Sequence, residues 1–239
     1  MQLKQWLLTI CVVAGLSTPA TAQILADTAY PVSVDENGKC VVGGFVPFDG
    51  KSDDEIYASA FVWAVNNACT SRLDAIEEKD LGTRQFRLKV TLASPEGGKK
   101  NTYYCDITLR ANEGKLFYYI SDILIESTVV VMKKVTPMER LNPEKKTSHR
   151  ETVDDFVQAE SLALNQLFEF VRSNRPGPLA HKESIVKGEV TEGMTEAECL
   201  MTAGKPQSVS EGNNGAMEWK YGLWYYINFK NGRVTRVVK

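Results

Sequence analysis

Four residues, Arg175-Pro176-Gly177-Pro178, constrain the architecture of this chain more than any other segment. Proline lacks an amide hydrogen and has a fixed φ, and the glycine between the two prolines has no preference for regular structure. Because no helix or strand can run through this segment, we place a domain boundary there. The chain is accordingly divided into a first part at 23–174, a linker at 175–184 and a C-terminal part at 185–239.

The first 22 residues have the pattern of a cleaved secretory signal peptide. Lys4 precedes an apolar stretch at 6–16, and Ala20-Thr21-Ala22 supplies the small residues that a signal peptidase recognises. The stretch has about half of the ~20 apolar residues needed to cross a bilayer, so cleavage after Ala22 is expected to leave no transmembrane segment. Cys11 lies too early in the stretch to carry a lipid anchor. We therefore expect a soluble, exported protein.

The overall charge does not favour a polyanionic partner. The chain has 28 Lys and Arg against 30 Asp and Glu, a formal net charge of −2. An acidic chain of this kind is not expected to bind nucleic acid, nor is an anionic membrane an obvious partner.

The first part has the strand and helix patterns of an α+β domain. Residues 39–48 are rich in β-branched and aromatic residues, although Gly43-Gly44 inside them indicates a bulge or close packing. Ser52 and Glu55 form a capping box that opens a helix to about Thr70. The apolar positions of that helix predict one buried stripe: Ile56, Tyr57, Ala60, Phe61, Ala64 and Ala68.

Four β-rich stretches follow the helix, at 73–78, 83–93, 101–110 and 115–125. Turn signals separate them at Pro95-Glu96-Gly97-Gly98 and Asn112-Glu113-Gly114. Residues 128–135 fit either a strand or a loop. Thr152 is expected to cap a second helix that ends near Arg172, with one apolar side: Phe156, Val157, Ala163, Leu164, Leu167, Phe168 and Val171. The order predicts a β-α-β4-α antiparallel sheet domain.

The C-terminal part predicts a short helix followed by a three-stranded antiparallel meander. Thr195 and Glu198 form a second capping box, and Gly204-Lys205-Pro206 ends the helix. A short extended piece at 208–211 comes next. The meander is expected at 217–221, 223–229 and 233–238, with Asn231-Gly232 as a two-residue hairpin turn.

The aromatic residues of the meander are the candidate binding residues: Trp219, Tyr221, Trp224 and Tyr226. Side chains alternate between the two faces of a strand, so one set is expected to pack on the short helix. The other set, which includes Trp224 and Tyr226, either faces solvent and anchors a protein partner or packs against the first part. The sequence leaves both outcomes open.

The residues that could support catalysis do not form a known pattern. The sequence has no nucleophile elbow, zinc-protease motif, phosphate-binding loop or dinucleotide glycine triplet, so no catalytic residue, metal site or cofactor is predicted. His149 and His181 are expected to be exposed in connectors, and a Cys199–His181 nucleophile pair has no support beyond the presence of both residues. Glu160 lies within the apolar stripe of the second helix. We expect it to be hydrated beyond the sheet edge, whereas a buried Glu160 would have a raised pKa.

Four cysteines follow the signal peptide: Cys40, Cys69, Cys105 and Cys199. They allow three complete disulfide pairings, between which the sequence does not decide. Cys105 alternates with Tyr103, Ile107 and Leu109, which predicts a buried free thiol.

The motif from Asp49 to Tyr57 (DGKSDDEIY), followed by Trp63 and the element order up to Arg172, resembles the DUF4468 family of exported bacterial proteins. The resemblance covers more than half of the chain and implies a fold like that of the TATA-binding protein (TBP). The family has no established activity to carry over, and such a fold does not imply DNA binding, because function depends on sites.

The C-terminal part resembles the SmpA/OmlA family of BamE-like modules. The matching positions are Gly193-Met194-Thr195, Ala203-Gly204-Lys205-Pro206, Trp219-Lys220-Tyr221, Phe229 and Asn231-Gly232-Arg233-Val234. Ala203 stands where the family has leucine, and the second helix and the lipid-bearing cysteine of the family are not evident. The resemblance implies a small protein-interaction module of the bacterial envelope.

These features predict a non-catalytic protein in the periplasm or at the outer membrane of a Gram-negative bacterium, with another envelope protein as its partner. Two alternatives from other classes remain open. One is an extracytoplasmic hydrolase with an unrecognised site, for which a carboxylate-lined pocket around Glu160 would be the sign. The other is a protein that binds a small hydrophobic or glycan ligand on the aromatic sheet.

Overall fold

A computed structural model describes residues 32–95, 101–129 and 132–239. The predicted signal peptide and most of the turn at 95–98 lie outside these ranges. Within them the chain forms two antiparallel sheets and four α-helices. The predicted α+β class is confirmed.

The first sheet has the strand order β1-β2-β6-β5-β4-β3 in the described residues, and β7 pairs with β6. The strands are β1 (Ser33–Val34), β2 (Cys40–Pro47), β3 (Ile76–Asp80), β4 (Gln85–Ala93), β5 (Asn101–Asn112), β6 (Lys115–Val129) and β7 (Met132–Pro137). Helices α1 (Asp53–Asn67) and α2 (Thr147–Ser173) cover one face. Ring contacts join each helix to that face: Phe61 to Phe86 at 5.0 Å and Phe168 to Tyr118 at 5.7 Å between centroids.

Helix α1 begins at its predicted cap and is buried on every side. Ser52 Oγ accepts the Glu55 N–H while the Glu55 side chain accepts the Ser52 N–H, so the capping box is confirmed. All residues from Ile56 to Val65 are buried, rather than the one predicted stripe. The reason is that α1 contacts three neighbours at once: the first sheet, α2 and the helix at Glu196–Ala203 in the C-terminal part. The helix ends at Asn67, three residues before the predicted end.

Helix α2 starts earlier than predicted. It begins at Thr147 after Lys146, which makes no side-chain cap, and Thr152 lies inside the helix with its Oγ1 donating to the Ser148 carbonyl at 2.9 Å. Val157 and Ala163 are half-buried, whereas Val153 and Ala159 join the buried side. The helix therefore has one more turn at its start than the sequence indicated.

The C-terminal part contains α3 (Lys182–Lys187), α4 (Glu196–Ala203), β8 (Ser208–Glu211), β9 (Ala216–Tyr221), β10 (Tyr225–Lys230) and β11 (Arg233–Val238). The second sheet has the order β11-β10-β9-β8, so the extended piece adds a fourth strand to the predicted meander. The capping box of Thr195 and Glu198 is present, and Asn231 and Gly232 both have positive φ, as a tight hairpin turn requires. Helix α3 was not predicted.

The two parts of the chain share one core. A continuous cluster of buried side chains extends from the first sheet to the second. Arg72 and Lys205 form a backbone bridge, with N···O distances of 3.1 and 2.8 Å. Lys205 Nζ also donates to the carbonyls of Asn66 and Cys69 at the end of α1. The C-terminal part is therefore fixed onto α1 and the segment that follows it.

The predicted linker is held at both ends and is partly helical, since α3 begins at Lys182. At its start, the Asn174 carbonyl accepts from Lys51 Nζ, and Asn174 Nδ2 donates to Ser59 Oγ at 3.2 Å. At its end, His181 contacts Glu198, and Lys182 pairs with Asp54 of α1. The proline-rich segment thus interrupts regular structure while its flanks are fixed to both parts.

The cysteines that follow the predicted signal peptide are free thiols, and Cys69, Cys105 and Cys199 are buried. The predicted burial of Cys105 is confirmed. Close packing accounts for Gly44, because a Cβ there would lie 2.6 Å from Tyr118 Oη. Among the described residues, no helix is long and apolar enough to span a membrane.

Candidate interaction surface

The turn between β9 and β10 forms an apolar projection at one end of the second sheet. Leu223 and Trp224 occupy it and are 74% and 78% exposed, the highest values among the exposed large apolar side chains of the described residues. We call these two residues the tip. Because water surrounds both side chains, the tip has apolar surface that a partner could bury, and tryptophan is enriched among the residues that dominate protein interfaces.

Hydrogen bonds fix the backbone of the turn. Gly222 has φ +79° and donates its N–H to Gln207 Oε1 at 2.8 Å. Tyr226 Oη donates to the Leu223 carbonyl at 3.1 Å. A backbone held in this way loses less conformational freedom on binding, which favours affinity.

Two of the four predicted binding residues are core residues. Trp219 is buried against the Phe229 ring at 4.6 Å between centroids. Tyr221 is buried too: its hydroxyl donates to the Gly204 carbonyl at 2.7 Å, and burial raises its pKa. The prediction that Trp219 and Tyr221 bind a partner is therefore corrected, because their face of the sheet packs on α4. Tyr225, Ile227 and Phe229 share that face.

Trp224 and Tyr226 are in different settings. Trp224 lies in the turn rather than in the predicted strand, since β10 begins at Tyr225. The sequence left open whether Trp224 faces solvent or packs against the first part of the chain. In this structure it faces solvent. Tyr226 is half-buried on the opposite, open face of the sheet, with Lys220 Nζ 5.6 Å from its ring centroid.

The open face of the second sheet is basic. Three rows of side chains cross it, each with one residue from β9, β10 and β11 in that order. The rows are Lys220, Tyr226 and Val238; Glu218, Asn228 and Arg236; and Ala216, Lys230 and Arg233. Lys230, Arg233 and Arg236 are exposed. We call Lys220, Lys230, Arg233 and Arg236 the basic face. Glu218 is the acidic side chain in these rows.

Lys230 and Arg233 are directly opposite each other on neighbouring strands. Like charges in this position destabilise a sheet. Arg233 Nη1 donates to the Gly193 carbonyl at 2.9 Å, but no ion pair of the described residues involves Lys220, Lys230, Arg233 or Arg236. With four cations against the one carboxylate of Glu218, the three rows carry a net positive charge.

Sequence reasoning missed this charged surface because the net charge of the whole chain conceals it. From Trp219 to Lys239 the sequence has five Lys and Arg and no Asp or Glu. A charge count restricted to the meander would have identified the asymmetry.

His181 is half-buried rather than exposed in a connector. Its Nδ1 is 3.2 Å from both carboxylate oxygens of Glu198, and its backbone N–H donates to Glu198 Oε1 at 2.8 Å. Burial opposes ionisation of Glu198, but the N–H groups of Thr195 and His181 and the imidazole outweigh it and lower the pKa. The pair joins the connector to the cap of α4.

Cys199 and His149 are the remaining candidates for chemistry. Burial, followed by the Glu198 charge, raises the pKa of the Cys199 thiol, which disfavours the nucleophilic thiolate. His149 lies in α2, and its Nδ1 accepts the Asn142 N–H at 2.8 Å. Among the described residues, no group of three or more His, Cys, Asp or Glu is placed to hold a metal ion.

Glu160 is buried, contrary to expectation. It is 1% exposed, and its Oε1 has no hydrogen-bond partner among the described residues. Burial raises its pKa to about 7. Its position at the centre of the buried side of α2 explains the error: the helix starts a turn earlier than predicted, so Glu160 lies over the sheet rather than beyond its edge. The nearby titratable groups are Cys105 of β5 and Tyr118 of β6, whose own pKa values rise to about 12 chiefly through burial.

Quenching of tryptophan fluorescence tests the exposure of the tip. The mature protein, cleaved after Ala22, lacks Trp6, and Trp63 and Trp219 are buried, so an aqueous quencher such as iodide should act mainly on Trp224. We expect Trp224→Phe to remove most of the quenchable emission. In the control, Trp219→Phe should leave that emission in place. If iodide quenches the Trp224→Phe protein as strongly as the wild type, the indole of Trp224 is shielded in solution.

Comparisons with known proteins show the fold. No family model matches the chain, and no curated protein matches it. A TBP-like protein from Parabacteroides distasonis ATCC 8503 is similar in structure, with a TM-score of 0.51 and 11% identity, covering 62% of this chain and 100% of that one. A DUF4468 family protein from Bacteroides ovatus ATCC 8483 has a TM-score of 0.45 and 14% identity, covering 62% and 93%. The chain therefore contains a TBP-like fold and, beyond it, residues without a counterpart in the first of these structures.

Proposed function

We propose that this protein is an exported, non-catalytic component of a Gram-negative cell envelope that binds another protein through the tip. The observation that carries the proposal is the exposure of Leu223 and Trp224 on a turn whose backbone is fixed. Tryptophan is enriched among the residues that contribute most of the affinity in protein interfaces.

Two sequence features support the envelope as the site of action. The first 22 residues have the pattern of an export signal, and the C-terminal part resembles the SmpA/OmlA modules of the envelope. The fixed attachment of this part to α1 supports a role as a rigid binding platform. The first part then acts as the body that positions the tip.

Site-specific photo-crosslinking tests the proposal. A photoreactive phenylalanine analogue at position 224 reacts with whatever lies within a few ångströms of the tip in intact envelopes. We expect one discrete crosslinked protein from position 224, and we expect Leu223→Ser to weaken that product because it removes half of the apolar tip.

The matched control places the same analogue at position 162. Leu162 is an exposed apolar residue on α2 and belongs to neither the tip nor the basic face. Identical products from positions 162 and 224 would show that the tip captures neighbours without specificity. The absence of any product from position 224 would also refute the proposal.

A further inference from the structure

The basic face adjoins the tip, and together they define the chemistry of a partner. Tyr226 and Lys220 lie in the row nearest the turn, and Lys230 and Arg233 lie in the row farthest from it. Strand β10 has six residues, which corresponds to roughly 20 Å of extended chain. A surface of this length, with four cations against the one carboxylate of Glu218 and apolar at one end, is complementary to a short extended segment that is acidic and ends in an apolar residue.

We propose that the basic face binds an acidic, extended segment of the partner protein, whose apolar end packs on Leu223 and Trp224. This inference rests on the proposed function, since it specifies the partner at the same site. Bound carboxylates would relieve the repulsion between Lys230 and Arg233, which are opposite each other and form no ion pair with any of the described residues. Electrostatic complementarity of this kind fixes the register of a partner and speeds its association.

The geometry favours a protein segment over a flat anionic membrane. The tip projects beyond the end of the strands, whereas the cations point outward from the face of the sheet. A planar bilayer that received the tip would meet the sheet edge-on and would leave the row of Lys230 and Arg233 remote from the headgroups. A flexible segment can follow the face and reach the tip together.

Fluorescence anisotropy with a defined peptide tests the inference on the full mature protein. The probe is a fluorescein-labelled peptide of five Asp-Ser repeats followed by Phe. We expect binding at low ionic strength that weakens with added salt, as for exposed charges in general. The double variant Lys230→Gln, Arg236→Gln should weaken binding about tenfold, since each exposed ion pair contributes up to ~1 kcal/mol.

A matched variant removes the same charge elsewhere. Lys145→Gln, Lys187→Gln also neutralises two exposed lysines, but neither lies on the basic face. This variant should bind the peptide as the wild type does. Equal weakening in both double variants, or no binding of the peptide to the wild type, would overturn the inference. A peptide with Lys in place of Asp that bound equally well would overturn it too.

Binding to anionic lipid vesicles distinguishes a lipid surface from an acidic protein segment as the ligand of the basic face. If vesicles of phosphatidylglycerol and phosphatidylethanolamine bind the protein through Lys230 and Arg236 while the acidic peptide does not, the face recognises lipid and the inference is wrong. Crosslinking from position 224 then distinguishes the proposed function, a protein bound at the tip, from the inference that the basic face binds an acidic segment of that protein. A product that persists in the Lys230→Gln, Arg236→Gln protein would retain the proposed function and reject the acidic segment. Loss of the product in that variant, but not in Lys145→Gln, Lys187→Gln, supports both.

Discussion

Replacing Gly204 by alanine is expected to destabilise the protein by about 4 kcal/mol, a large part of the 5–15 kcal/mol that typically stabilises a domain. Gly204 has φ +75° and ψ −157°, a conformation that is essentially restricted to glycine. A Cβ there would lie 2.2 Å from the carbonyl carbon of Arg72. Arg72 cannot move aside, because its backbone is bridged to Lys205. Urea unfolding measured by circular dichroism gives the free energy.

The matched control is Gly188→Ala. Gly188 also has a positive φ of 73°, but beyond its two chain neighbours no atom of the described residues lies within 4 Å of a Cβ at that position. Its replacement should cost about 1–2 kcal/mol, the price of the left-handed conformation alone. Equal losses for Gly188→Ala and Gly204→Ala would show that Arg72 does not approach Gly204 in solution. We further expect Gly204→Ala to lower the stability of the whole molecule in one transition, because both parts share a core.

Between pH 4.5 and pH 8, the free energy of unfolding of the wild-type protein is expected to fall by about 3 kcal/mol more than that of the Glu160→Gln variant. Burial raises the pKa of Glu160 in the folded protein to about 7, from an ordinary value of 4.5. Below pH 4.5 the carboxyl is protonated in both states and makes no difference. Between 4.5 and 7 the unfolded chain loses the proton while the folded protein retains it, which stabilises the unfolded state by about 1.4 kcal/mol for each pH unit.

Urea unfolding at a series of pH values measures this difference. Cys105 and Tyr118, the neighbouring titratable groups, have pKa values near 12 and do not ionise in the range. Glu169→Gln is the control, since Glu169 lies on the same helix with 73% of its side chain exposed. It should retain the wild-type pH profile. Parallel profiles for the wild type and Glu160→Gln would mean that Glu160 is hydrated in solution.

The features that the sequence predicted correctly are those that depend on neighbouring residues. Both capping boxes, Ser52 with Glu55 and Thr195 with Glu198, satisfy backbone groups within one turn. The Asn231-Gly232 hairpin likewise depends on backbone conformations that these two residues adopt readily. Local rules of this kind are sufficient to indicate the α+β class and most of the elements, although they did not predict α3 or the start of α2.

The errors concern contacts between distant residues. Helix α1 is buried all round because α4 covers its outer side, and no local pattern encodes that contact. Glu160 and His181 were both expected in water, yet a sheet covers one and Glu198 binds the other. Trp224 was assigned to a strand because the sequence did not fix where the turn after Gly222 ends. The basic face was missed because its four cations lie on three strands, β9, β10 and β11. They form one surface only after these strands pair.

The position of α1 between the first sheet and α4 has a consequence for how the chain reaches its fold. Roughly 130 positions separate the end of α1 from the start of α4, so this contact closes late and slows folding. During synthesis, and during any export, the apolar outer side of α1 emerges long before the segment that covers it. In that interval the exposed apolar surface makes the chain prone to aggregation. Completion of the C-terminal part is therefore the step that covers this apolar surface.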